Sequence, residues 1–575
     1  MLHVLTSARP DFLADLPELR ERNQMRIEKN GNREDRMMPA MERRDFLRSA
    51  VVAATAGILI PGELGAFLPS TGRERAMAAA RETGLGNAES PALQFQAYPG
   101  GTGALLEKLW KEYGGDPFAR HTIELEPWTG TVPTGEEEIA FLPAHRLGAL
   151  IRGGHLSSVE LTELYLERLR RYDPLLLFAV SILEGRAREE AQQADTDLRA
   201  GTWRGPLHGV PYGIKDLFAV TGTRTAWGSA DFEGQVIDMD SEVVVRLRDA
   251  GAVLVAKLAT GEFALGDQWF RGRTLNPWNP GEGASGSSAG PGSATAAGCV
   301  GFAIGTETQG SIVSPARRTG LSALRPTFGR VSRHGGMVLS WSMDKPGPMC
   351  RSAEDCAHVF NAIHGSDEKD PSTLTTPFRF EREPDLSEIT IGYGDDAPES
   401  FLEALSGLGA RLRAMPPLPS GNSNAIAVES AAAFEFHVAP HGEPQPVPEG
   451  LDAAEERRMT RFTRGRDISG VDYLQSQRQR YRIMQEMAEA MEGFDMYVSG
   501  SGDVGLTNTT GHPAVVLPYG FGVRNPGEES PTEMPLTTTL IGNLFADDRL
   551  LSVAHLFQSS TDWHRLHPVL EQGDG

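Results

Sequence analysis

Two stretches of small residues, 283–293 (Gly-Ala-Ser-Gly-Ser-Ser-Ala-Gly-Pro-Gly-Ser) and 305–316 (Gly-Thr-Glu-Thr-Gln-Gly-Ser-Ile-Val-Ser-Pro-Ala), flank the apolar run Val300-Gly301-Phe302-Ala303-Ile304. Serine- and glycine-rich segments usually serve as flexible linkers. A linker has no reason to be enclosed by apolar sequence, however, and a further apolar run, 321–324, closes the second stretch. The pair therefore reads as close-packed backbone inside a core, where missing side chains let one segment approach another.

The surrounding pattern is that of an α/β protein. Ser157 and Glu160 form a capping box, and Leu161, Leu164, Tyr165 and Leu169 recur at helical spacing until Asp173-Pro174 is expected to stop the run. Ala187, Ala191, Ala194 and Leu198 mark a second helix ending at Gly201. Residues 243–248 predict a helix, and Ala252-Val253-Leu254-Val255-Ala256 predicts a strand buried on both faces. Between about 366 and 491 the pattern loosens around Pro416-Pro417, Pro446 and Pro448, before an amphipathic helix over 472–491. This region is expected to cover a pocket.

Lys and Arg total 55 against 77 Asp and Glu, a net charge of −22 that repels polyanions, so nucleic acid is not expected as a partner. The cysteines are Cys299, Cys350 and Cys356, an odd number without paired ligand spacing, so no disulfide, metal or cofactor is predicted.

Near the N-terminus, Arg43-Arg44-Asp45-Phe46-Leu47-Arg48 precedes an uncharged apolar run over 49–60. That run is shorter than the ~20 residues of a membrane-spanning helix, and the basic start fits a twin-arginine export signal. The expectation is an exported, periplasmic protein that meets the twin-arginine machinery during targeting, a route for folded chains that agrees with the lack of disulfides. Residues 1–40 read as an extension ahead of the true start at Met37, Met38 or Met41, 41–68 as the signal, 69–139 as a linker with a helical region, and 140–575 as the main domain.

Chemistry points to Lys215, in Leu207-His208-Gly209-Val210-Pro211-Tyr212-Gly213-Ile214-Lys215-Asp216. A lysine among apolar and glycine residues loses its proton readily, and a neutral amine can activate a serine hydroxyl. Ser311 follows a glycine turn in which successive N–H groups can converge on an oxyanion. His208 and His512 sit in Gly/Pro turns without an identifiable acid partner and read as structural. The run 500–505 matches a dinucleotide fingerprint after Met496-Tyr497-Val498, but the sequence toward Gly511 and Pro513 predicts no helix behind it, so a nicotinamide site is rejected.

The lysine segment, the Gly-Ser-Ser loop and Gly-Thr-Glu-Thr-Gln-Gly-Ser-Ile, in that order, resemble the amidase signature family over residues 141–568. Leu324-Arg325-Pro326-Thr327, Asp344-Lys345-Pro346-Gly347-Pro348-Met349 and Asn508-Thr509-Thr510-Gly511-His512-Pro513 share the likeness. The resemblance implies an α/β amidase signature fold, with a large twisted mixed β-sheet core flanked by helices on both faces. It implies Ser311 as the acylated nucleophile, Ser287 as a bridging serine on a cis peptide, and Lys215 as the neutral base. The separation, 311 − 287 = 24, favours Ser287 over its neighbour Ser288. The oxyanion is expected at the backbone N–H groups of Thr308, Gln309, Gly310 and Ser311.

The implied activity is hydrolysis of small-molecule or peptide amides through an acyl-serine. Two alternatives are a glutaminase-type subunit of a tRNA-dependent amidotransferase, which the export signal opposes, and a non-catalytic envelope binding protein, which the retained Lys215, Ser287 and Ser311 oppose. A homo-oligomer is left open. Glu307, Gln309 and Val313 stand where many relatives carry Asp, Gly and Arg, and Ala289 replaces a glycine. These changes lean toward peptide-amide and broad-range amidases, and the missing arginine removes a hydrogen-bonding group near the nucleophile.

Overall fold

The run Val-Leu-Val-Ala-Lys-Leu is wholly buried as a strand near one end of a mixed sheet. The computed structural model describes residues 96–113, 121–421, 423–438, 456, 460–524 and 532–570. All of them fall in one unit of the chain, Ala79–Gly575. The export segment and the start-site methionines lie outside the described residues.

Among those residues an 11-stranded sheet is built from β1 (Ala179–Ile182), β2 (Pro211–Lys215), β3 (Val253–Leu258), β4 (Phe302–Glu307), β5 (Ser322–Arg325), β6 (Lys345–Cys350), β7 (Thr390–Tyr393), β8 (Arg411–Ala414), β9 (Met496–Ser499), β10 (Ala514–Val523) and β11 (Glu533–Gly542). The spatial order is β1-β3-β2-β4-β6-β5-β10-β11-β9-β7-β8. β2 runs parallel to both β3 and β4, and β9-β7-β8 are parallel, whereas the strands between β4 and β9 pair antiparallel.

Alternate residues of each strand feed cores on opposite faces. Leu254, Phe302 and Ile304 pack on one side with Val359 and Phe360 of the helix Ala353–Ile363. Val253, Val255 and Ala303 pack on the other with Leu166 and Leu169 of Ser158–Leu176 and Ala187 and Ala191 of Glu184–Arg199. This is an α/β fold with helices on both faces. Each large apolar side chain so enclosed contributes about 1.5–3 kcal/mol.

The Ser157–Glu160 capping box forms, but its helix runs through Pro174 to Leu176 instead of stopping at Asp173-Pro174. A proline in the last turn removes one N–H where few bonds remain to be lost. The exit is fixed by left-handed Leu177 and by Asp173, whose carboxylate accepts the Ala179 N–H at 2.7 Å.

A second departure is the helix Val504–Thr510, which the sequence does not predict behind the glycine run. Its interior is Thr- and Asn-rich, a composition with low helix propensity. Here Thr507, Asn508, Thr509 and Thr510 each donate to the carbonyl one turn earlier, so their side-chain donors are satisfied within the helix. Residues 366–491 contribute β7 and β8 at one edge of the sheet as well as the helix Gly470–Ala490.

Candidate active site

β2 and β4 lie side by side in parallel, with Ile214 opposite Ile304, and this register brings Lys215 to Thr306. Lys215 is fully buried, its Nζ 2.8 Å from Thr306 Oγ1, 2.8 Å from Ser287 Oγ and 3.0 Å from Ser288 Oγ. Among the described residues it forms no ion pair. Its strand neighbour Lys257, equally buried, lies instead 2.8 Å from the Asp216 carboxylate. The contrast separates the two amines: a buried ammonium needs a counter-ion, and of these two only Lys257 has one, although burial lowers its value as well. Burial pulls Lys215 well below its ordinary value, against the weaker raising effect of Asp344 and Glu307.

The Gly-Ser loop is no linker, since Ser287, Ser288 and the helix Ala289–Ala296 are all buried. The Gly286–Ser287 peptide is cis. Gly286 allows the close approach, because a Cβ there would fall 1.8 Å from the Gly266 carbonyl oxygen. Ser288 Oγ accepts the Thr306 N–H at 3.2 Å and donates to the Thr306 carbonyl at 3.1 Å, so its hydroxyl hydrogen is committed. Ser287 has only Lys215 as a side-chain partner among the described residues, which leaves its hydroxyl free to pass a proton. The Ser288 N–H donates to the Ser311 carbonyl at 3.2 Å, which ties the half-buried Ser311 to the bridging loop.

Glu307 shapes the turn that carries Ser311. Its buried carboxylate accepts the N–H groups of Ile312 and Val313, both at 2.8 Å, a guanidinium N–H of Arg325 at 3.0 Å and the Asn508 amide at 2.6 Å. Burial alone would raise the carboxyl, but Arg325, Asn508, the Val313 N–H and Lys345 outweigh it and hold it at about 2. With the N–H groups after Ser311 clamped, those of Gln309, Gly310 and Ser311 have no intramolecular acceptor among the described residues. Gly310 has φ +96°, a conformation that favours glycine. Thr308 is fixed by donating to Asp344 at 2.6 Å, and Gln309 is exposed.

Motif reasoning gave no role to Arg325, Asn508, Asp344 or Lys345. Arg325 now supplies the guanidinium missing at Val313, reaching Glu307 from β5. Lys345, opposite Glu307 on β6, donates to the Met343 carbonyl, and burial pulls it well below its ordinary value. Neither histidine reaches Ser311. His208 contacts the Ala194 carbonyl at 2.9 Å, and His512 contacts Thr510 Oγ1 at 2.8 Å, with burial and then Arg325 pushing His512 down to about 3. The 500–505 run belongs to this region too, since Arg317 binds the Gly500 and Ser501 carbonyls and Asn508 reaches Glu307.

Glu307→Ala is expected to cost several kcal/mol, of order 3–5, by leaving Arg325 buried without its carboxylate. The linkage runs the same way. A carboxyl at about 2 when folded and 4.5 when unfolded contributes stability fully present above pH 4.5 and lost as pH falls through 2. Acid denaturation curves of the wild type and Glu307→Gln should therefore converge below pH 4.5, and parallel curves would refute this.

Comparison with known proteins places the chain among amidases. The family signature described as Amidase matches residues 160–502. A glutamyl-tRNA(Gln) amidotransferase subunit of Marinomonas sp. (strain MWYL1) is 32% identical over 487 residues, 74% of this chain and 98% of that protein. Among solved structures, an amidase family protein from Bacillus anthracis str. Ames superposes with a TM-score of 0.64 at 25% identity, covering 76% of this chain and 94% of that one. The native peptide amidase from Stenotrophomonas maltophilia gives 0.60 at 26% identity, covering 73% and 96%. A serine amide hydrolase core that cleaves C–N bonds is common ground among the sequence, the sheet and these relatives, and the chain belongs to the amidase family.

Proposed function

We propose that the chain hydrolyses amides through an acyl-enzyme on Ser311, with Ser287 as proton bridge and Lys215 as base. The carrying observation is the buried, carboxylate-free Lys215 amine 2.8 Å from Ser287 Oγ. Ser311 Oγ attacks the carbonyl carbon, giving its proton to Ser287 as Ser287 passes its own to the neutral amine. The N–H groups of Gln309, Gly310 and Ser311 receive the developing oxyanion, with Thr308 shaping the turn. Collapse breaks the C–N bond while the proton returns through Ser287 to the leaving nitrogen. Water then attacks the ester by the same relay and frees Ser311.

Two substrate readings have separate support. Likeness to that amidotransferase component, 32% identical across 98% of its length, supports a glutaminase-type subunit that delivers ammonia within an assembly. Likeness to a peptide amidase supports a free-standing enzyme acting on amidated peptides and small amides. Ammonia release from glutamine and from amidated dipeptides, assayed with the purified chain alone, separates them. A free-standing enzyme turns over the dipeptides unaided. An assembly component shows glutaminase activity only with co-purifying partners.

The export reading is likewise proposed, on the residues 43–60 alone. Arg43→Lys with Arg44→Lys is expected to retain the precursor in the cytoplasm, as read by cell fractionation. Unchanged periplasmic delivery would overturn it.

A further inference from the structure

Ser314, Arg317 and Arg318 share one face of the helix Val313–Thr319 that follows Ser311, since residues three and four apart are neighbours on a helix. With Arg524, Ser285 and Tyr519 they line a cleft of about 450 Å³. Ser285 stands two residues before Ser287 and Ser314 three after Ser311, so the cleft borders both catalytic segments. At about 1.5 Å per residue, Arg317 and Arg318 lie roughly 6–7.5 Å along the helix from its first residue, Val313, two residues after the nucleophile.

The charges are unbalanced. Arg317 donates to the Gly500 and Ser501 carbonyls, and its buried Nε has no hydrogen-bond partner among the described residues. Arg524 donates to the Arg317 and Arg318 carbonyls, closing the helix end. Only Arg318 is paired with a carboxylate among the described residues, Glu282, and Asp396 exerts a weaker attraction on Arg317. Burial, then Arg318, pushes Arg524 down to about 10 despite Glu282. Three guanidinium groups gathered in a chain of net charge −22 are a local reversal of the prevailing field.

We propose that this cleft is a carboxylate-binding subsite and that preferred substrates are amides carrying an anionic group a short chain away from the scissile carbonyl. Guanidinium groups suit a carboxylate because their N–H pairs match its two oxygens. The inference rests on the serine amidase reading above and adds a substrate class to it. An arriving carboxylate offsets the repulsion among the three cations, which Glu282 balances only in part. The helix geometry then holds the amide carbonyl toward Ser311.

The test is ammonia release from the monoamides of glutaric, adipic, suberic and sebacic acids, each against the uncharged ω-hydroxy amide of equal chain length. At the best length the carboxylate is expected to raise kcat/KM by about tenfold or more. Raising the salt concentration lowers that ratio. Arg318→Gln and, separately, Arg524→Gln reduce the ratio toward one. Because the ratio compares two substrates on one enzyme, any loss of folded protein cancels. Equal kcat/KM for charged and uncharged partners at every length, or an undiminished ratio in both variants, overturns the subsite. Absence of hydrolysis of all amides, charged or not, would instead count against the serine amidase reading.

Discussion

Ser311→Ala abolishes amide hydrolysis, lowering kcat by about a millionfold, while the purified variant keeps the wild-type circular dichroism and melting temperature. The size follows from the proposed chemistry. Without Oγ no acyl-serine forms, and neither Ser287 nor Lys215 has a proton to receive. Units of this kind fail together, so a second substitution at Ser287 or Lys215 adds little to the first. Residual catalysis then reflects only binding and the N–H groups of the turn. The measurement is turnover on a chromogenic anilide, with labelling by a fluorophosphonate probe as a parallel readout. Hydrolysis by Ser311→Ala within tenfold of wild type, or retained probe labelling, removes the assignment.

Lys215→Met is expected to lower kcat by several orders of magnitude, with an accompanying gain in stability from removal of a buried, unpaired amine. Burial depresses the folded lysine from 10.5, so the unfolded chain binds its proton more readily than the folded one. The sign follows directly: ∂ΔG/∂pH is positive where the unfolded state holds more protons. The wild type therefore carries a penalty that is absent above pH 10.5 and grows as pH falls toward the folded value, by up to about 1.4 kcal/mol per pH unit. Methionine has no such penalty. The melting temperature of Lys215→Met minus that of wild type should shrink as pH rises toward 10.5. Wild-type kcat should climb with pH as the amine is freed of its proton. A flat rate profile combined with a pH-independent difference in melting temperature would show that Lys215 is not a titrating base.

Much of this site could be read before any coordinates, because its parts are unusual where they stand. A lysine flanked by Gly213 and Ile214, and serine–glycine runs next to Phe302 and Ile304, conflict with ordinary surface composition. That conflict made them legible. The strand read over 252–256 was equally plain, and in the sheet it continues through Lys257 to Leu258. What escaped were long-range partners. Nothing local to Arg325, Asn508 or Lys345 tells that β4, β5 and β6 and the helix Val504–Thr510 converge on Glu307. The same helix was missed because threonine and asparagine look like turn residues until their side chains are seen to bond one turn back. Pro174 misled for the opposite reason, being a helix breaker placed where little helix remained to break.

The four ligands of the Glu307 carboxylate come from residues 312, 313, 325 and 508, so the serine turn is finished only when the far end of the chain has docked. Closing so wide a loop is slow relative to local folding. Enzymatic competence should thus be the last property to return on refolding, lagging behind recovery of helical signal. A chain cut short before Asn508 would hold Lys215 and both serines yet stay silent, a built-in safeguard against hydrolysis by incomplete copies.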